Sequence, residues 1–358
     1  MPNRRKFLKA ASIASAGWLV THGSAVGALQ VPGRRREVMV GGRRVKVIDI
    51  HAHCIVPEVA EVIKGTPLAA SSQTGPGTLV LGPGRLQAMD ERGIDVQVLS
   101  INGYWWYAAD RDLARQIVRV HDEQLAEWCA AHQDRFVALT SVSLQHPELA
   151  AEQLEYAVTR LGMRGASVGG HVAGENLSAP RFDPFWAKAE ALGVVVFMHP
   201  NGADNVVRDG ALRGPGDLGN IIGNPLETTV FLSRLILDGT LDRFPGLRIC
   251  AAHAGGYLPS YLGRTEVACT VRPNAGCANK KPPSEYLKRE ILVDSMIFSE
   301  EGLRHLVAEL GVSQIVYGTD VPYNWPDGVD IILGAPFLSD ADKEAILGGN
   351  LVSLLRMV

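Results

Sequence analysis

Four short stretches of this 358-residue chain put imidazoles and a carboxylate where they can share chemistry: His51-Ala52-His53, Met198-His199-Pro200, Ala252-His253-Ala254 and Gly318-Thr319-Asp320. Residues i and i+2 of a strand face the same side, so His51 and His53 can turn together toward one metal ion. Alone the pair is a weak signal, because 10 histidines in a chain of this length produce a His-x-His about 0.3 times by chance. Position supplies the specificity. Each stretch directly follows an apolar or β-branched run, and together they bring neutral imidazole nitrogens and a carboxylate oxygen, the donors that a catalytic zinc or similar divalent ion accepts. The run Arg164-Gly165-Ala166-Ser167-Val168 brings no Lys or Glu that could bridge a second ion, so one ion is expected.

Those runs belong to a set of eight, at 45–50, 96–101, 136–142, 164–168, 194–198, 248–252, 291–295 and 314–317. Several are nearly continuous, such as Val194-Val195-Val196-Phe197-Met198, the pattern of strands buried on both faces. Helical spacing fills the intervals at 113–132 (Leu113, Ile117, Val120, Leu125, Trp128), 148–161, 183–192, 225–237 and 300–310. A βα unit repeated this way predicts an α/β fold, a (β/α)8 TIM barrel of the metal-dependent hydrolase type over 45–358, with its chemistry at the C-terminal ends of the strands. An open doubly wound sheet would advertise a Gly-rich phosphate loop, and no GxGxxG or Walker sequence follows any strand. Residues 54–92 and 201–224 are long connections, which predicts lids or small insertions.

With 46% hydrophobic and 20% charged residues the chain is neither disordered nor short of core, and a net charge of −3 argues against a nucleic-acid partner. The charge asymmetry is at the start. Arg4-Arg5-Lys6-Phe7-Leu8-Lys9, a modest apolar region and Ser24-Ala25-Val26-Gly27-Ala28 resemble a twin-arginine signal peptide over 1–28, cleaved after Ala25 or Ala28. This predicts export to the periplasm with no membrane anchor after cleavage. Residues 29–44 then form a short hairpin or linker turned at Gly41-Gly42. Five scattered cysteines without a CxxC give no disulfide framework; Cys269 and Cys277 are the pair that could join in an oxidising compartment.

His51-x-His53, the stretch from Arg85 to Ser100, His199-Pro200, Asn224-Pro225-Leu226-Glu227-Thr228-Thr229, His253 with its glycines, Gly263-Arg264, Gly318-Thr319-Asp320 and Gly349-Asn350 resemble, in this order, the amidohydrolase-related family. Within it the similarity is to the aminocarboxymuconate-semialdehyde decarboxylase-like branch and covers 45–358. The resemblance implies His51, His53, His199 and Asp320 as ligands of one divalent ion, Zn2+ with Mn2+ as the alternative. It implies His253 as acid/base and Arg264 as a grip on a substrate carboxylate, reaching in from the neighbouring subunit of a homodimer. Two features depart from the namesake enzymes: the loop around Gly77 to Gly84 has no arginine, and Asn201 follows Pro200.

The same residues serve two chemistries. In non-oxidative decarboxylation of a small aromatic or unsaturated carboxylic acid, His253 and Asp320 carry the proton to the carbon that loses CO2. In hydrolysis of a lactone or amide, Asp320 accepts a proton from the attacking water while His253 stabilises the oxyanion. Hydration of an unsaturated dicarboxylate would use the same set. A guanidinium binds carboxylate bidentately, which favours the first reading. His171, after the fourth strand, is at the correct rim for substrate contact. Tyr104-Trp105-Trp106-Tyr107 and Trp325 are candidates for a pocket floor or for packing. His121, His132, His146 and His305, on or beside helices, are expected to face solvent.

Overall fold

The computed structural model describes residues 35–71, 79–101 and 105–357. The leader, the Gly75-Pro76-Gly77 segment and Tyr104 lie outside these residues. Eight parallel strands alternate with helices: β1 (Ile48–Cys54), β2 (Val96–Ile101), β3 (Phe136–Ala138, resuming at Thr140–Ser141), β4 (Gly165–Val168), β5 (Val195–Met198), β6 (Arg248–Ala251), β7 (Ile291–Asp294) and β8 (Ile315–Val316). β1, β2 and the first part of β3 make one ladder, and the second part of β3 continues through β4 to β8. The ring closes where the Ile50 N–H donates to Tyr317 O at 3.0 Å and the Asp320 N–H donates to His51 O at 2.8 Å. The longer outer helices are α1 (Pro83–Arg92), α2 (Arg111–Ala131), α3 (Pro147–Arg160), α4 (Asp183–Leu192), α5 (Asn224–Leu237), α6 (Leu262–Val271) and α7 (Glu300–Leu310).

Alternation explains why the strands read as continuous apolar runs. Val195 and Phe197 point into the barrel with Ile48, Ile50, Val98, Leu139, Cys250 and Val316, while Val196 and Met198 join the separate layer beneath the helices. Leu351 and Leu355 of the C-terminal segment close the inner cluster from below. Both layers are apolar, and the histidines and aspartate that follow the strands collect at the other rim.

The predicted elements differ from the observed ones chiefly at β1. It runs on through His51-Ala52-His53 instead of ending before them, and its register against β2 slips between Asp49 and Ala52. That bulge matters: Ile48 and Ile50 face inward, and strict alternation would have aimed Ala52 inward next. The slip turns His51 and His53 to the barrel axis. The first long connection holds helices Val59–Ile63 and α1, and the Met39–Val40/Arg43–Arg44 hairpin turns at Gly41-Gly42. Cys269 and Cys277 are disulfide-bonded, Cα to Cα 6.0 Å.

Solvent exposure of the helical histidines is corrected. His121 is buried on α2, where Asp122 and Ser141 approach its Nδ1 at 3.0 and 3.4 Å, because the polar edge of β3 gives it partners inside. His132 and His146 are half-buried at helix ends, and only His305 of the four is exposed. No helix of the described residues is long and apolar enough to cross a membrane.

Candidate metal centre

Ligand atoms of His51, His53, His199 and Asp320 lie within 4.8 Å of one another at the C-terminal rim, all four residues buried. His51 Nε2 is 2.9 Å from His53 Nε2, and Asp320 Oδ1 is 3.2 and 2.9 Å from these two nitrogens. The cluster contains the test of its own fit: both ring nitrogens of His199 and Nδ1 of His53 are buried without a hydrogen-bond partner. Lone pairs crowded together and unpaired are costly unless a positive centre joins them. Three imidazoles and a carboxylate suit a single divalent ion. Burial, assisted by the neighbouring imidazoles, pushes His199 well below its ordinary value and His53 down to about 4. Burial would also lower His51, but Asp320 and Asp294 outweigh it and raise this imidazole to about 10. The nearby histidines likewise hold Asp320 ionised against the opposing effect of burial.

Asp294, which closes β7, is the residue that reasoning from sequence missed. Its Oδ2 lies 2.6 Å from His51 Nδ1 and accepts the His253 N–H at 3.0 Å, while Oδ1 accepts the N–H groups of Ala254 and Met296 at 2.8 and 3.2 Å. A carboxylate on Nδ1 fixes the tautomer that leaves Nε2 to a metal. The signal was present: Asp294 ends its apolar run as His199 ends β5. Deeper in, Asp49 accepts from Thr319 Oγ1 at 2.7 Å and from Gln97 Nε2 at 3.0 Å, and Arg85 Nε donates to Gln97 Oε1 at 2.7 Å. This buried chain ties α1 and β2 to the turn that carries Asp320. His253, Ala254 and Asp320 all take left-handed backbone (φ +55, +55 and +57), strain that these contacts hold in place.

His253 Nε2 stands 3.8 Å from Asp320 Oδ2, and its side chain is 14% exposed against 0% for His51, so His253 is the member that faces the mouth. Trp325 Nε1 donates to the same Oδ2 at 3.0 Å, and its ring stacks on the exposed Phe298 at 5.3 Å. Trp325 therefore belongs to the site. Trp105 and Trp106 pack in the core. His171 is half-buried on a two-strand hairpin beyond β4, its Nδ1 accepting the Gly174 N–H at 3.0 Å, outside the metal cluster. Arg264 is exposed on α6.

Fold and site together define a (β/α)8 barrel of the metal-dependent hydrolase type. The amidohydrolase profile matches residues 48–356, and the chain belongs to the amidohydrolase family. It is 33% identical over 283 residues to the 2-amino-3-carboxymuconate-6-semialdehyde decarboxylase of Dictyostelium discoideum, with 76% of each chain covered. It is 32% identical over 285 residues to the gamma-resorcylate decarboxylase of Rhodococcus jostii (strain RHA1), covering 76% of this chain and 87% of that one. The crystal structure of 5-carboxyvanillate decarboxylase from Sphingomonas paucimobilis is similar with a TM-score of 0.79 at 25% identity, over 88% of this chain and all of the other.

Proposed function

We propose that this protein is a metal-dependent non-oxidative decarboxylase of a small aromatic or unsaturated carboxylic acid. The observation that carries the reading is His253 at the open side of a buried His/His/His/Asp cluster, in a chain whose relatives are named decarboxylases. A divalent ion held by His51, His53, His199 and Asp320 would supply positive charge that draws in the substrate's carboxylate and neighbouring oxygen. Zn2+ is the ion the donors suit, with Mn2+ the alternative. His253 and Asp320 are the groups that pass a proton to the substrate carbon as its bond to the carboxylate breaks and CO2 leaves. Trp325 keeps the outer oxygen of Asp320 oriented meanwhile.

Arg264 and His171 are the proposed substrate contacts. Arg264 shares one face of α6 with Val267 and Val271, which are 50% and 62% exposed, next to Tyr261 at 63%. An arginine amid exposed apolar side chains supports a homodimer in which Arg264 enters the partner's mouth. The Arg4-Arg5 leader and the Cys269–Cys277 disulfide support twin-arginine export to the periplasm. The test is mass spectrometry of products after metal-loaded protein meets a panel of hydroxybenzoates, muconate-type acids, lactones and N-acyl amino acids. Loss of CO2 from one member is expected. Gain of water, with no CO2 from any, overturns the reading in favour of a hydrolase or hydratase.

A further inference from the structure

The helical turn that opens α5, Asn224 to Thr229, has no part in the chemistry above, yet it grips three of the loops that carry the site. Glu227 is 2% exposed. Its Oε1 accepts the N–H of Gly170 at 2.9 Å, in the loop after β4, and its Oε2 accepts the N–H of Asn201 at 2.8 Å, two residues beyond His199. The fit is closed, since a Cβ on Gly170 would stand 2.5 Å from Oε1 and 2.9 Å from Met198 Cε. On the next stretch of the same turn, Thr229 Oγ1 donates to Pro225 O at 2.7 Å and accepts the Tyr257 N–H at 2.7 Å, in the loop that holds His253. Gly256 of that loop lies so near that a Cβ would come 2.2 Å from Pro225 O, and its φ is +67.

We infer that this turn is a positioning device with two arms: Glu227 sets the His199 loop for the metal, and Thr229 sets the His253 loop for proton transfer. A buried carboxylate is the one side chain of this length with two acceptor oxygens, so it satisfies two loop N–H groups from different strands at once. A glutamine would keep one of these bonds and turn an NH2 against the other donor. Thr229 needs a hydroxyl that both donates and accepts, which valine of the same shape lacks. The inference rests on the metal reading above and adds residues to it that touch neither the ion nor the substrate.

The test uses the full chain. Metal-free parent, E227Q, G170A, T229V and T229S are titrated with Zn2+ and Mn2+ against a chromophoric chelator, and kcat and KM are measured on whichever acid the panel selects. E227Q is expected to weaken metal binding about 10- to 100-fold, the usual loss for a residue that supports a ligand. G170A, which intrudes on the same oxygen from the other side, should do likewise, with the double variant little worse than either; it also gives the reading if E227Q does not fold. T229V should keep the parent's metal affinity and lose about tenfold or more in kcat, and T229S should restore it. Parental metal affinity in E227Q or in G170A overturns the Glu227 arm. Loss of metal in T229V, or no recovery in T229S, overturns the other. A parent that takes up no metal is a separate result, and sinks the metal reading together with both arms.

Discussion

At the scale of residues, the site depends on groups that orient rather than react. Trp325 is the plainest case: W325F keeps a ring to stack on Phe298 and removes the N–H that holds Asp320 Oδ2. Oδ1 still faces the histidines. The variant should therefore retain its metal and lose about ten- to a hundredfold in kcat, within the range that positioned proton transfer contributes. Equal kcat for W325F and parent, with metal content measured alongside, would remove Trp325 from the machinery. Glu227 predicts a pH effect. Burial pushes its carboxyl from 4.5 up to about 7, against the opposing N–H groups of Asn201 and Gly170. A raised carboxyl favours the neutral form in the fold, so its contribution to stability is fully present below about pH 4.5 and is lost as pH rises through 7. Glutamine does not titrate. In denaturant unfolding of metal-free protein, E227Q minus parent stability should climb across that window; the lost hydrogen bond sets a constant offset, not a slope. A flat difference would contradict the shifted carboxyl.

At the scale of elements, β8 reaches the site only because Gly318 lets it approach β1 and β7. A Cβ there would stand 2.8 Å from Asp294 Cβ and 3.0 Å from His51 Cβ. G318A should destabilise the metal-free fold by about 1–3 kcal/mol, the cost of overpacking, and reduce metal uptake with it; chemical denaturation and metal titration measure the two. Unchanged values would mean that the strand shifts freely. The strand ends are also where the sequence was most legible. Runs such as 194–198 read as strands buried on both faces, and a histidine or aspartate directly after such a run has the C-terminal rim to occupy. His199, His253 and Asp320 were readable for this reason. The β1 bulge was not, because a register slip leaves no mark in composition, and without it alternation alone would have put Ala52 inside. Asp294 escaped because a lone aspartate at a strand end resembles ordinary loop polarity until His51 is seen 2.6 Å away. His121 was misplaced because helical periodicity cannot show that β3 offers it Ser141.

At the scale of the whole molecule, the question is whether one chain makes a complete site. Arg264 sits on an exposed face with Val267 and Val271, and in the proposed homodimer it is the partner chain that would bring it a substrate carboxylate. The proposed two-fold dimer would bury that face against itself and send each arginine across the interface. Sedimentation should then show a dimer that V267D/V271D separates into monomers of low activity. Mixed dimers decide the direction of the arginine. R264A and H253N are each expected to be inactive alone. If Arg264 works across the interface, an R264A subunit paired with an H253N subunit regains one working site, with its own His253 and the partner's arginine, while the other site lacks both. Random pairing of equal amounts makes about half of the dimers mixed, so the mixture should recover about a quarter of the parent's activity per subunit. If Arg264 serves its own chain, no pairing restores any site and the mixture stays as inactive as its components.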